Sequence, residues 1–168
     1  RARVTAVQKK LAWADAIEVV EASADRVDSV WPQAGPGGVG GGELAHLTPA
    51  AQRDWKSRVI AGQLRRVGGE ALAEAVDALG GVRVAPAPGD ANDPLTGRRS
   101  RIDVVIDADG RAGMHEFRGR RVIALEDMPL AVPAIRELGL FDEDTPWRRL
   151  WKPGDRVRAV APSGGEPV

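Results

Sequence analysis

The feature that most constrains this chain is the stretch RIDVVIDADGRAGMHEFRGRRVIAL, residues 101–125. Ile102, Val104 and Ile106 alternate with Asp103, Val105 and Asp107. That period gives a strand one apolar and one mixed face. Asp109-Gly110 suits a two-residue hairpin turn of type I′, which needs positive φ at both central positions. Such a turn places Ala108 opposite Arg111, Ile106 opposite Gly113, Val104 opposite His115 and Ile102 opposite Phe117 on the apolar face. The other face then pairs Asp107 with Ala112, Val105 with Met114, Asp103 with Glu116, and Arg101 with Arg118. Opposed carboxylates repel unless a cation or the neighbouring arginines neutralise them. A three-residue loop with a bulge would slip the register and separate them.

The N-terminal half reads as helical. Val4, Val7, Leu11 and Ala14 keep a three–four spacing. Ile17, Val20, Ala24, Val27 and Trp31 resume it after a phase shift, so residues 3–31 are expected to form one long helix, stopped by Pro32. Residues 32–46, PQAGPGGVGGGELAH, read as a flexible Gly-rich linker. They fail as a phosphate loop, because no strand precedes them and no Lys-Ser/Thr follows. A second helix opens with Thr48 as N-cap and Pro49 at the first helical position. Trp55, Val59, Ile60, Leu64 and Val67 mark its face; Gly68-Gly69 kinks or splits it before Leu72, Val76 and Leu79.

A short strand at 82–85, a turn-rich loop at 86–96, the hairpin and a strand at 121–125 follow. A short helix ends at Leu138 with Gly139 as its cap, and Arg156 to Val160 form a last strand. The expected fold class is therefore α+β. Two long N-terminal helices precede a small, mostly antiparallel sheet with a central β-hairpin (101–118) and a short helix. The expected division is a helical arm 1–31, a linker 32–46 and an α+β domain 47–168.

Composition limits the chemistry. Twenty-four basic side chains balance 24 acidic ones, so no global field draws the chain to nucleic acid or membrane. Absence of Cys excludes disulfides, thiol catalysis and thiolate metal sites. Two His give no zinc signature. No apolar run is long enough to span a bilayer. No metal, no cofactor and no membrane partner are expected, and nucleic acid is not an expected partner. On the predicted register His115 is a hydrogen-bonded core residue beside Val104, and His46 is structural or at the surface. Arg98, Arg99, Arg101, Arg118, Arg120 and Arg121 would suit phosphates. Asp103, Asp107, Glu116, Glu126 and Asp127 lie among them, so ordinary ion pairing is expected.

Two functional expectations follow. The preferred one is a soluble, non-enzymatic structural or adaptor subunit of a larger assembly, partnered by protein subunits that include copies of itself. A head or neck component of a tailed-phage virion is its concrete form, because the Ala-, Arg- and Gly-rich, Tyr-free composition suits a GC-rich bacterial or phage genome. Its interface would use Val4, Leu11, Ile17, Val27 and Trp31 on the arm, and Trp147, Leu150 and Trp151 near the end. The alternative rests on DPLTGRRSRID followed by MHEFR, which resembles the PD-(D/E)xK-type nuclease core over about 25 residues. The resemblance implies that Asp103 and Glu116 hold Mg²⁺ while a basic residue assists the attacking water. Arg118 stands where that family has lysine, and arginine does not shed a proton.

Overall fold

The computed structural model describes residues 1–88, 90 and 95–164. It is a mixed α+β protein with two antiparallel sheets. In chain order the elements are β1 (Ala2–Gln8), β2 (Leu11–Ala16), α1 (Pro49–Gly68), α2 (Glu70–Ala78), β3 (Arg101–Ile106), β4 (Ala112–His115), β5 (Val122–Ala124), α3 (Pro133–Arg136) and β6 (Arg156–Val160). Short 3-10 turns cover Pro32–Ala34 and Pro146–Arg149. No helix among the described residues is long and apolar enough to cross a membrane. Part of the turn-rich stretch 86–96 and the last four residues lie outside the described residues.

The N-terminal helix expected over 3–31 is replaced by a hairpin. β1 pairs with β2 around a tight turn in which Lys9 takes φ 47°. The register shifts between Val4 and Ala6, so that Val4 faces Ala14 and Val7 faces Ala12. A bulge adds one residue to one strand. Val4 and Val7 therefore share a face although they are three apart, and a bulged strand imitates the helical spacing. Arg3 opposite Asp15, and Arg1 paired with Glu18 at 3.2 Å, close the ribbon electrostatically. Every residue from 1 to 28 is exposed.

The glycine-rich segment is folded, not slack. Trp31, Ala34 and Val39 lie in the main core. Gln33 fastens the segment to the far strand: its Nε2 donates to the Ala124 carbonyl at 3.0 Å, and its Oε1 accepts from the Glu126 N–H at 2.9 Å. The Phe117 N–H donates to the Gly38 carbonyl at 2.9 Å. A backbone rich in glycine is ordered here by partners distant in sequence.

The second helix starts as its sequence dictates. The Thr48 side chain accepts from the Ala51 N–H, with Pro49 following. The helix divides at Gly69 into α1 and α2. The main sheet runs in the order β5-β4-β3-β6. Its inner face supplies Ile102, Val104, Ile106, Ala112 and Ala159. The chain from Leu125 to Leu140 folds over that face and contributes Met128, Ala131 and Ile135. Val104, Ile106, Met128 and Ile135 are fully buried; each such burial stabilises by about 1.5–3 kcal/mol.

Two substitutions test this arrangement. Trp31→Ala is expected to destabilise the fold by about 3–5 kcal/mol in urea unfolding, the usual cost of removing a large buried aromatic. Gln33→Ala is expected to cost about 1–3 kcal/mol, because two backbone groups are left without their partner, and to open residues 34–42 to limited proteolysis. An unchanged cleavage pattern for Gln33→Ala would mean that its amide does not hold the segment.

Candidate functional site

The hairpin loop decides which side chains meet on the sheet. Val105 pairs with Gly113 and Ile106 with Ala112. The Asp107 N–H donates to the Arg111 carbonyl at 2.9 Å. The loop is thus three residues, Ala108 to Gly110, rather than two. Asp107 builds it. Its Oδ1 accepts from the N–H groups of Asp109 at 2.9 Å and Arg111 at 2.8 Å, and its Oδ2 from the Arg111 guanidinium at 3.0 Å. Gly110 closes the loop at φ 76°, a conformation that glycine adopts without steric cost. Burial on its own would raise the Asp107 pKa. The two backbone N–H groups, and then the Arg111 guanidinium, overcome it and hold the carboxyl below the usual range.

This register moves every residue of β4 to the face opposite the one expected. His115 leaves the core and stands exposed, its Nδ1 3.2 Å from the Arg120 carbonyl oxygen. Met114 takes the inner position and packs against the core. Asp103 and Glu116 fall on opposite faces and take different partners. Asp103 accepts from Arg158 at 2.7 Å, and Glu116 pairs with Arg121 at 3.2 Å. The Arg158 hydrogen bond, against a small desolvation, lowers the Asp103 pKa; Arg158, Arg101 and Arg156 add to this through their charge. Arg118 lies over the Phe117 ring at 5.0 Å. The paired-carboxylate nuclease centre is therefore not assembled. Among the described residues no group of three or more His, Cys, Asp or Glu can hold a metal ion.

What the fold does assemble is a cationic outer face on the main sheet. Strand alternation puts Arg101, Asp103 and Val105 on that face, and antiparallel pairing sets Arg158 opposite Asp103 and Arg156 opposite Val105. Only Arg158 has an ion-pair partner among these cations. Neither Arg101 nor Arg156 has a carboxylate within ion-pairing distance among the described residues. Beside Arg156 lies an open groove of about 560 Å³, lined also by Val105, Asp107, Arg111, His115 and Val122. Gly113 forms part of its setting, because a Cβ there would come within 2.2 Å of the Ile123 carbonyl oxygen. Only a bare backbone lets β4 and β5 approach.

The arginines singled out in the sequence disperse. Arg98 pairs with Asp90, Arg121 with Glu116, and Arg99 reaches the Gly41 carbonyl at 3.4 Å. The cluster that forms uses Arg156 and Arg158 instead. Their signal is the alternation Arg156-Val157-Arg158, which places both cations on one side of a strand.

The expected interface residues also separate. Trp31 is 2% exposed in the chain's own core. Val4, Leu11, Ile17, Val27, Trp147 and Leu150 are exposed, and Trp151 is half-buried against the core.

No protein-family model matches the chain. It is similar to curated bacterial proteins. It is 38% identical over 155 residues to an uncharacterized RNA methyltransferase of Streptomyces avermitilis, covering 91% of this chain and 34% of the relative. A second uncharacterized RNA methyltransferase, from Streptomyces coelicolor, is 36% identical over 155 residues, 91% of this chain and 32% of the relative. The 23S rRNA (uracil(1939)-C(5))-methyltransferase RlmD of Halomonas elongata is 35% identical over 136 residues, 78% of this chain and 25% of the relative. The chain thus spans about a third of the length of the first two relatives. These likenesses overturn the expectation of a non-enzymatic adaptor subunit from a phage virion, since the relatives are named as bacterial enzymes. The expectation of protein-subunit partners without nucleic acid falls on the same finding.

The loop carries a pH prediction. The Asp107 carboxyl titrates lower in the folded chain than in the unfolded one. Its stabilisation is therefore complete above the ordinary carboxylate pKa of about 3.9 and is lost as pH falls through the depressed folded value. Asp107→Ala is expected to cost about 1.5–3 kcal/mol at pH 7, the usual worth of hydrogen bonds to a charged group. Asp107→Asn should lose less and flatten the acid limb of stability. Urea titrations from pH 7 down to pH 2 check both; an unaltered acid limb in Asp107→Asn would refute the assignment.

Proposed function

We propose that this chain is a part of an RNA methyltransferase and that the outer face of its main sheet contacts RNA. The observation that carries the reading is its similarity, over about nine-tenths of its length, to proteins named as RNA methyltransferases. One relative's name specifies C5 methylation of a uracil in 23S rRNA, and a structured ribosomal RNA is the substrate class we favour.

The electrostatics of the outer face support this role. Arg101 and Arg156 present guanidinium groups whose donors are not committed to carboxylates, and Arg158 adds a third beside Asp103. Guanidinium forks match phosphate oxygens in geometry as well as charge. The exposed His115 ring and the half-buried Val105 and Val122 line the groove beside Arg156 with a partly apolar floor. A backbone-tracking cationic groove with a flat ring is how single-stranded RNA is commonly held. The balanced charge of the whole chain does not oppose this, because the local field at the groove decides binding.

The exposed apolar residues Val4, Leu11, Ile17, Val27, Trp147 and Leu150 fit the same reading. We assign them to packing against the remainder of a methyltransferase of the relatives' length.

Binding of short single-stranded and hairpin oligoribonucleotides, followed by anisotropy across a salt series, tests the proposal. Affinity should fall with salt. The double variant Arg101→Ser/Arg156→Ser should lower the slope of log K against log salt by about 0.7 for each arginine–phosphate pair removed. Absence of binding at low salt, or a double variant indistinguishable from the parent, would overturn it.

A further inference from the structure

The groove on the outer face holds one acceptor whose direction the fold sets. His115 lines it, and its Nδ1 lies 3.2 Å from the Arg120 carbonyl oxygen. A carbonyl oxygen only accepts, so Nδ1 carries the proton of this bond. In the neutral ring that tautomer leaves Nε2 with a lone pair. Nε2 makes no hydrogen bond among the described residues, and the ring is exposed. The groove therefore presents an acceptor, held in place by the backbone of the turn after β4.

The other groups of the groove divide its chemistry. The strand order β5-β4-β3-β6 sets Arg156 of β6 and His115 of β4 on either side of β3, roughly 10 Å apart at the backbone, or two strand spacings. Arg156 has no carboxylate within ion-pairing distance among the described residues. A guanidinium only donates. At the hairpin loop, Arg111 is committed to Asp107 at 3.0 Å and to Asp109 at 3.1 Å. Two carboxylates against one guanidinium leave that end negative, so a phosphate belongs at Arg156. A ligand that fits this groove carries a phosphate for the donor and, close by, a hydrogen-bond donor for the acceptor. A ribonucleotide has both on one unit, because its 2′-hydroxyl can donate. A deoxyribonucleotide backbone has the phosphate alone.

We propose that His115 selects RNA over DNA, its Nε2 accepting a hydrogen bond from a ribose 2′-hydroxyl of a strand whose phosphate lies on Arg156. The proposal rests on the RNA reading above and deepens it by naming the sugar as the feature that is read. The three-residue loop matters here, because it turns His115 from the core to the outer face.

Short single strands of one base sequence test it, made as RNA, as DNA with deoxyuridine for uridine, and as 2′-O-methyl RNA, which keeps the sugar oxygen but cannot donate. Anisotropy is followed at low salt and pH 8, above the usual histidine range. The full chain should bind RNA about two- to tenfold more tightly than either other strand, the worth of one hydrogen bond. His115→Phe keeps a flat ring and removes the acceptor. It should bring RNA down to the level of DNA and leave DNA affinity as it was. DNA binding is the internal control, since a folding defect or a lost contact to a base weakens all three strands together. Arg156→Ser should weaken all three. Equal affinity for RNA and DNA, 2′-O-methyl RNA bound as tightly as RNA, an RNA preference that survives His115→Phe, or a loss shared by every strand in that variant would overturn the assignment and leave the RNA reading standing. No RNA binding at low salt would overturn both.

Discussion

The Asp107 carboxylate governs the arrangement of the main sheet. It gathers two backbone N–H groups and a guanidinium, and so selects a three-residue loop over a two-residue one. That choice is a choice of parity. With it, Ile106 meets Ala112 in the core and Val105 meets Gly113 on the outside. Without it, β4 would turn its apolar residues outward and its histidine inward. Hydrogen bonds to an ionised carboxylate are stronger than neutral ones. Here both carboxylate oxygens accept from donors close in sequence. The outward position of His115 beside the groove descends from that register, while the outer cations follow from the separate pairing of β6 with β3.

Much of the architecture is legible from residue order. The strand beginning at Arg101, the hairpin, the Thr48-Pro49 helix start, the division at Gly69 and the last strand each follow from local chemistry that tertiary packing does not override. The failures have physical reasons. Asp109-Gly110 serves two loop lengths equally well, and the side chain that decides between them, Asp107, lies outside the dipeptide. The stripe Val4, Val7, Leu11 reads as helical because a bulge shifts pairing by one residue. The segment after Pro32 has a linker's composition, yet Gln33 and Phe117 hold it through partners distant in sequence. No rule of local propensity can see such partners.

The site is less legible than the fold. Asp103, Glu116 and Arg118 are the residue types of metal-assisted hydrolysis, but their meeting depends wholly on the register. Arg156 and Arg158 carry no comparable signal, because Arg158 lies 55 residues from Asp103 in the sequence and the two become neighbours only when β6 adds to β3. Function is the least legible, since no short motif of methyl transfer or of RNA binding stands in this stretch. The proposed reading rests on similarity over nine-tenths of the chain to a protein named as an RNA methyltransferase, not on composition or spacing.

The main sheet keeps its core on one side and its cations on the other. Along β3 the even positions, Ile102, Val104 and Ile106, are buried, while Arg101 and Asp103 face solvent. Exposed ion pairs contribute little to stability, whereas buried aliphatic side chains contribute much. Adaptation is thereby uncoupled from folding. Drift in lineage after lineage can rewrite the outward positions to follow a changing partner, while purifying selection holds the inward ones fixed. A two-residue rhythm of freedom and constraint along one strand would be the historical trace of that separation.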